Sequence, residues 1–411
     1  MNILILSAQF PYPPRSGVAM RIYQLARELA RSHRVTLLSY ATARQRDGVT
    51  ALASALTVRT VEREYRTTVR KRAAQLVSIV SARPYYWHEV HSSRLQRAID
   101  ELCANDRFDV VQLESTFLYG FSFPSGTRVV LDAHNIEYEV HRRMCEGERS
   151  LPRRVFNRLE HVRCRRFEQR SWKQVDGCLV TSKREAQIVL AHAPDTPVAV
   201  APNGVDLGHF RPAREVPRPN SLVFNGILTY RPNLVAAHWL IEEVWPLVQS
   251  RHPDATLTVV GRAYPADLQK LKRPGVLLTG EVPDIRPYLQ RAAVIGVPVR
   301  MGGGTRLKVV EGLAMGKAIV STSLGCEGLE IRDGQHVLIA DDAGAFADKI
   351  VHLFANRAAR AELGQAGRAL VERYYSWSLA GRRAQALHEF VAARRSDGGQ
   401  ERVGWPHQVT V

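Results

Sequence analysis

The chain has 411 residues, of which 45% are hydrophobic and 24% are charged. This composition excludes a disordered chain, and the length suits two globular domains of ordinary size. No apolar run approaches the ~20 residues that cross a bilayer, and the first residues lack the basic segment of a signal peptide. We therefore expect a cytoplasmic protein.

The five cysteines and the net charge of +17 narrow the class further. The cysteines are scattered without a CxxC pair, which argues against a disulfide framework or a zinc site. Residues 142–173 hold 11 basic and 4 acidic residues. Such a field favours anionic partners, namely nucleic acid, a lipid surface or phosphorylated small molecules. No RNA- or DNA-binding module is visible, so we expect no nucleic-acid partner.

Short apolar runs alternate with amphipathic stretches through the first half of the chain. Between the first two runs, residues 19–30 place Ile22, Leu25 and Leu29 on one helical face. The predicted strands are 2–7, 35–40, 109–113, 128–133 and 177–182. Continuous apolar strands separated by helices predict a parallel sheet that is covered on both faces.

The pattern restarts after the proline-rich passage 201–221, where we place the domain boundary. The second series of predicted strands is 222–226, 255–261, 276–280, 293–299, 318–322 and 336–340. The predicted fold class is α/β, with two doubly wound, Rossmann-like domains over 1–200 and 201–378 that face across a cleft. A helix predicted over 379–395 is a candidate to pack back on the first domain. The tail 396–411 lacks periodicity and is predicted to be disordered.

One stretch, residues 298–322, reads PVRMGGGTRLKVVEGLAMGKAIVST. It predicts a strand, the loop GGGTR and a following helix. Glycines let the backbone approach an anion, the helix N-terminus adds a partial positive charge, and Arg306 and Lys308 add full charges. Glu311 lies roughly 7–8 Å further along the helix, at ~1.5 Å per residue, about the distance from a diphosphate to its ribose hydroxyls. The alternative is a flexible turn before a helix with solvated charges.

This stretch is similar to the nucleotide-binding segment of the retaining glycosyltransferases of family 4, which have the GT-B fold. Three other segments resemble the same family: FPYPPRSGVAMR (10–21), PNGVD (202–206) and FNGILTYRPN (224–233). The resemblance implies sugar transfer, with retained configuration, from a nucleotide-diphosphate sugar to a saccharide or lipid-linked acceptor. It assigns the acceptor to 1–200 and the nucleotide sugar to 201–378. It also implies a role in cell-surface polysaccharide or glycolipid synthesis.

The resemblance also implies donor-binding residues. In the family, the second glutamate of a Glu-x7-Glu motif binds the donor ribose, and Glu311 matches it. The first glutamate would fall at Gly303, so a side chain that contacts the donor sugar or phosphate is missing. The loop after the first strand of the second domain usually carries Arg and Lys but offers only Arg231 here, and Arg306 and Lys308 supply charge instead. The implied donor-binding residues are Gly17, Arg231, Gly302, Gly303, Gly304, Thr305, Arg306, Lys308 and Glu311.

Residues after three predicted strands of the first domain complete the implied site. Gly17 follows the first strand, and its loop either contacts the donor phosphates, as in the family, or is an ordinary turn. His134 and Asn135 follow the fourth strand, where a histidine of the family contacts the donor sugar near the reacting carbon. The alternative is a loop histidine without a role. Glu114 follows the third strand and either orients the acceptor or His134, or is a solvated glutamate. Asn135 is a further acceptor-contacting or orienting candidate.

The catalytic candidates are His134, Arg306 and Lys308, which would act through positioning and through positive charge at the leaving diphosphate. No Asp-x-Asp motif stands out, so we expect neither a metal nor another cofactor. A nucleotide-sugar epimerase of the same fold and a basic nucleic-acid-binding protein with a degenerate site are the alternatives. The GxGxxG and GxxxxGK[ST] patterns are absent after the first strand, against a dehydrogenase or a P-loop NTPase. Residues 142–173 are either a solvated face or a surface that lies on anionic lipid, which would place the protein peripherally on the inner face of the membrane.

Overall fold

The computed structural model describes residues 1–63, 81–148, 150–213 and 215–394. Within these residues the chain divides into two units. Unit 1 comprises Met1–Asn203 and the C-terminal helix Trp377–Ala393, and unit 2 comprises Gly204–Ser376. The tail 396–411, predicted to be disordered, lies outside the described residues.

Unit 1 contains a sheet that has seven strands in the described part of the chain, and every strand pairs in parallel with its neighbours. The strands are β1 Asn2–Ser7, β2 Arg34–Ala41, β3 Thr57–Glu62, β4 Val110–Leu113, β5 Arg128–Ala133, β6 Gly177–Val180 and β7 Val198–Val200. Their order across the sheet is β3-β2-β1-β4-β5-β6-β7. The winding therefore reverses between β1 and β4, as in a doubly wound sheet.

The helices of unit 1 cover this sheet. They are α1 Gly17–Ala30, α2 Arg46–Ala53, α3 Tyr85–Val90, α4 Ser93–Asn105, α5 Glu137–Glu146, α6 Leu151–Gln174 and α7 Lys183–His192. Helix α1 begins because the Ser16 hydroxyl accepts a hydrogen bond from the backbone N–H of Ala19 at 3.2 Å. Its predicted face, with Ile22, Leu25 and Leu29, is buried. The C-terminal helix also belongs to this unit, where Leu387 and other apolar residues of one face are buried.

Unit 2 repeats the arrangement with six parallel strands in its described residues. The strands are β8 Ser221–Asn225, β9 Thr256–Val260, β10 Val276–Gly280, β11 Val294–Val297, β12 Ala318–Ser321 and β13 Leu338–Ile339, in the order β10-β9-β8-β11-β12-β13. Helix α8 Arg231–Trp239 continues as a π-helix, Leu240–Val244, and then as α9 Trp245–Gln249. The other helices are α10 Pro265–Leu271, α11 Arg286–Arg291, α12 Leu307–Ala314, α13 Ala343–Ala355 and α14 Arg357–Tyr374. The winding reverses between β8 and β11.

The predicted α/β class with two doubly wound sheets is confirmed. Two strands, β3 and β7, were not predicted. β3 alternates polar and apolar residues because it lies at the edge of its sheet, where most of its side chains face water. β7 has only three residues, too few for a recognisable apolar run.

Candidate active site

In unit 2, the glycine-rich stretch lies where the winding of the sheet reverses. The loop after β8 and the loop after β11 leave the same edge of the sheet, because β8 and β11 are parallel neighbours. Open α/β sheets bind ligands at this position, outside the carboxyl ends of the strands. As predicted, residues 302–306 form a strand-to-helix loop, and α12 follows.

The loop conformation requires glycine at two positions. Gly302 and Gly304 have φ values of +98° and +74°, a region that side-chain-bearing residues rarely adopt. Arg306 caps α12, and its Nη1 donates a hydrogen bond to the carbonyl of Gly303. Thr305 is partly buried beside them. The loop thus has no side chain at three of its five positions, and it holds the Arg306 guanidinium against its own backbone.

Lys308 reaches from α12 to the loop that follows β8. Its Nζ donates a hydrogen bond to Asn233 Oδ1 at 2.9 Å and lies 4.6 Å from the centre of the Phe224 ring. A Cβ on Gly226 would lie 2.8 Å from this nitrogen, so only glycine leaves room for it. The pKa of Lys308 is lowered to about 7, mainly by burial and also by the Arg306 guanidinium, against the attraction of Glu311. Asn233, Phe224 and Gly226 were not predicted as site residues, although all three lie in FNGILTYRPN.

Glu311 lies one turn beyond Lys308 and is partly buried. Burial raises its pKa to about 7, although Lys308 opposes this shift. Among the described residues it forms no ion pair, and Lys308 bonds to Asn233 instead. Arg231 is the exposed first residue of α8. Unit 2 therefore brings together the predicted glycines, Arg306, Lys308 and Glu311 at one edge of its sheet.

In unit 1, three predicted residues follow adjacent parallel strands. Gly17 begins α1 after β1, Glu114 follows β4 and His134 follows β5. His134 Nε2 lies 2.8 Å from Glu114 Oε2 and 3.5 Å from Asp132 Oδ2. Glu114 is buried and also accepts a hydrogen bond from Gln112, so the interpretation of a solvated glutamate is wrong. Its contact is with His134, one of the two partners proposed for it.

Two residues of this cluster were not predicted. Arg21 is 1% exposed and binds both carboxylate oxygens of Asp132, with Nη2 2.7 Å from Oδ1 and Nε 2.9 Å from Oδ2. Burial alone would lower the pKa of His134, but the carboxylates of Asp132 and Glu114 outweigh it and raise the pKa to about 9. Arg21 ends the segment FPYPPRSGVAMR and Asp132 lies in the predicted strand 128–133, but their 111-residue separation hides the pairing.

The start of α5 places Asn135, the last predicted residue. Its side-chain amide lies 3.5 Å from Glu137 Oε1, at the limit of a hydrogen bond. The buried carboxylate of Glu168 accepts the backbone N–H groups of Glu137 and Tyr138 at 3.0 and 2.8 Å, which fixes the loop. Asn135 is therefore held beside His134 by a well-anchored helix start.

The donor atoms of Glu114, Asp132 and His134 lie within 4.8 Å of one another, a spacing that a metal ion can use. The Arg21 guanidinium already neutralises Asp132 and would repel a cation there. This cluster therefore does not fit a divalent ion well, and the expectation of a metal-independent protein stays a prediction.

Two family models match the chain. The model described as Glycosyltransferase Family 4 matches residues 15–209, and the model described as Glycosyl transferases group 1 matches residues 219–356. With two parallel-sheet α/β units, these matches define a glycosyltransferase of the GT-B class. The chain belongs to glycosyltransferase family 4, which confirms the predicted family and enzyme class.

Several known proteins and solved structures are similar to this chain. A Klebsiella pneumoniae protein named "Uncharacterized 44.6 kDa protein in cps region" is 23% identical over 269 residues, 62% of this chain and 68% of the relative. Phosphatidyl-myo-inositol mannosyltransferase of Mycobacterium tuberculosis is 28% identical over 208 residues, 46% of this chain and 53%, about half, of that relative. The structure of Anabaena HepE in complex with UDP has a TM-score of 0.67 at 13% identity, and the match covers 95% of this chain and all of that one.

Proposed function

We propose that the protein transfers a sugar, with retained anomeric configuration, from a nucleotide-diphosphate sugar to a saccharide or lipid-linked acceptor. One observation carries the proposal: unit 2 holds a partly buried ammonium and a partly buried carboxylate on one helix without pairing them. Within the described residues, Lys308 bonds to a neutral amide and Glu311 forms no ion pair. Burying a charge without a counter-charge is costly, so such groups indicate a charged or hydrogen-bonding ligand.

The donor fits these groups in order along α12. The loop backbone, Arg306 and Lys308 would bind the diphosphate and stabilise the charge that develops on it as it leaves. Glu311 would accept hydrogen bonds from the ribose hydroxyls. In unit 1, His134 would contact the donor sugar near the reacting carbon. Besides the nucleotide-sugar co-substrate, the proposed mechanism uses no cofactor.

Several features support the proposed donor, acceptor and biological setting. The Anabaena neighbour is described with UDP, and the mycobacterial relative is named for mannosyl transfer to phosphatidyl-myo-inositol. Gly303 lacks the side chain that family members use toward the donor sugar or phosphate, so we propose that the sugar is selected by other residues. We propose cell-surface polysaccharide or glycolipid synthesis as the setting and the cytoplasm as the compartment.

A thermal-shift screen against UDP, GDP, ADP and their sugars tests the proposal, because a ligand that binds the folded state raises the melting temperature. We expect one nucleotide series to stabilise the protein. With that donor, NMR of the product's anomeric proton reports retention. No response to any nucleotide, together with salt-dependent DNA or RNA binding, would favour the nucleic-acid alternative.

We also propose that the basic region, residues 142–173, binds to the surface of anionic lipid. Four apolar side chains lie outward along α6: Leu151, Val155, Leu159 and Val162, exposed by 61, 52, 41 and 41%. Their spacing of three and four residues puts them on one side of the helix, while Glu160, Cys164 and Glu168 are buried on the other.

Exposed arginines surround this apolar stripe on α6. They are Arg153, Arg154, Arg158, Arg165 and Arg166. Apolar side chains framed by arginines suit an interfacial helix on an anionic membrane, whereas a second copy with the same charge would be repelled. None of the helices in the described ranges is long and apolar enough to cross a membrane.

Flotation with vesicles tests the lipid surface. The wild type should float with anionic vesicles at low salt and be released at high salt, since each Arg near such a surface contributes on the order of 1 kcal/mol. Replacing the five arginines by glutamine, or Leu151, Val155 and Leu159 by serine, should each abolish flotation. The control Leu277→Ser changes a residue that is 59% exposed in unit 2 and should float normally. A wild type that stays in solution at low salt would show that the face is only solvated.

A further inference from the structure

A buried array of charges in unit 1 surrounds one edge of the His134 ring. Arg21 binds Asp132 through two nitrogens, and its Nη1 also donates to the carbonyl of Ala201 at 2.7 Å and to Asn203 Oδ1 at 3.1 Å. Asp132 in turn lies 3.5 Å from His134 Nε2. These contacts join α1, β5 and the end of unit 1 and leave the Asp132 side chain little freedom.

Glu114 supplies the second contact to the same ring nitrogen, at 2.8 Å. Glu114 and Asp132 are 3% and 0% exposed, so water screens neither carboxylate. Nε2 faces both carboxylates and therefore carries a hydrogen that it donates. Among the described residues, no group forms a hydrogen bond with Nδ1, the other ring nitrogen.

The charges of the surrounding buried groups determine the protonation state of the His134 ring. Arg21 neutralises Asp132, which leaves the buried Glu114 carboxylate with His134 as its partner. A cationic ring completes a neutral set of four groups, whereas a neutral ring would leave Glu114 uncompensated or protonated. The other titratable groups near the array are Glu137 of α5, which faces His134, and Glu185 of α7, Cys178 of β6 and His388 of the C-terminal helix, which face its Arg21–Asp132 end.

We infer that Glu114, Asp132 and Arg21 are positioning residues that fix His134 as an imidazolium, with Nε2 held inward and Nδ1–H presented as the donor. A cationic ring has no lone pair, so His134 acts as a hydrogen-bond donor to an oxygen of the substrate and not as a general base. This role rests on the proposed function, because it takes the donor sugar or its leaving oxygen as the group contacted.

Nitrogen NMR of the full-length protein labelled in histidine tests this inference without a substrate. The His134 signals are assigned by their loss in His134→Gln, and both ring nitrogens are followed against pH. We expect both to be protonated at pH 7.5, with a midpoint near the pKa of about 9. In Glu114→Gln, which keeps the shape but removes the charge, the midpoint should fall by about one to three pH units.

Glu242→Gln is the matched control, because it removes an exposed carboxylate that contacts another histidine, His238, at 3.3 Å. It should leave the His134 midpoint unchanged. A neutral His134 at pH 7.5 in the wild type overturns the inference even if Glu114→Gln fails to fold. The inference is also overturned if the titration midpoint of His134 is raised in the wild type and stays at the same pH in Glu114→Gln.

Thermal shift with UDP, GDP and ADP on the same wild-type sample separates this inference from the proposed function. A cationic His134 in a protein that no nucleotide stabilises would count against the proposed function alone. A neutral His134 in a protein that a nucleotide stabilises would count against this inference alone.

Discussion

Replacing Glu311 by glutamine is the sharpest test of the donor site, because the change keeps the size of the side chain and removes its charge. Within the described residues the Glu311 carboxylate has no ion-pair partner, so its bonds to a ribose would not replace an existing salt bridge. A hydrogen bond to a charged group contributes roughly 1.5–3 kcal/mol. We therefore expect the dissociation constant of the nucleotide to rise about ten- to a hundredfold.

The pKa shifts add a pH dependence to this prediction. The pKa of Glu311 is raised to about 7, so the carboxylate must lose a proton to bind ribose at lower pH. One pH unit below 7 this costs about 1.4 kcal/mol, or about tenfold in affinity. The pKa of Lys308 is lowered to about 7, so the ammonium must gain a proton to bind diphosphate at higher pH. Affinity should therefore be highest near pH 7. Glu311→Gln should remove the fall that Glu311 causes on the acid side, and it should shift the fall on the alkaline side to lower pH, because the Glu311 carboxylate raises the pKa of Lys308.

Isothermal titration calorimetry with the nucleotide selected by the thermal-shift screen measures these effects. The second ionisation of a terminal phosphate lies near pH 6, so the variant and the wild type are compared at each pH. Glu243→Gln, an exposed carboxylate of the same unit, is the control and should bind like the wild type. An unchanged dissociation constant in Glu311→Gln across this range would refute the assignment of Glu311 to the ribose.

Three further predictions concern the same site. Arg306→Ala and Lys308→Ala should lower kcat more than they raise KM, because both charges act on the leaving diphosphate; a raised KM with kcat intact would assign them to ground-state binding. Gly226→Ala should weaken nucleotide binding in calorimetry, because its Cβ would displace Lys308 Nζ, whereas the control Gly344→Ala in α13 should not. EDTA should leave most of the transferase activity in place, and a complete loss restored by Mg²⁺ would reveal a metal site.

Much of the fold was predictable because it follows local patterns. Ile22, Leu25 and Leu29 share a helical face, and the buried face of α1 follows directly from that period. The loop before α12 was predictable because its three glycines suit positive φ values, and two of them, Gly302 and Gly304, adopt one.

Contacts across long separations were not predictable from the same patterns. Lys308 bonds to Asn233 across 75 residues, and Arg21 bonds to Asp132 across 111. The first pair joins two helices and the second joins a helix to a strand, and only the folded sheet brings these elements together. The burial of Glu114 also depends on residues that are distant in the sequence. The sequence shows only that Glu114 follows a strand, so a solvated glutamate was one of the possible interpretations.

The two departures from the family pattern in unit 2 have one electrostatic explanation. The glutamate missing at Gly303 would add a negative charge beside Arg306, whose Nη1 donates to the Gly303 carbonyl. The usual lysine of the loop after β8 is also missing, and Lys308 of α12 bonds with Asn233 in the first turn of α8, just beyond that loop. The missing glutamate and the missing lysine remove one negative and one positive charge. The two positive charges of Arg306 and a protonated Lys308 still exceed the single negative charge of Glu311. We propose that this net positive charge suits a ligand that carries a negative charge on each phosphate, with the second cation of the site, Lys308, provided by α12.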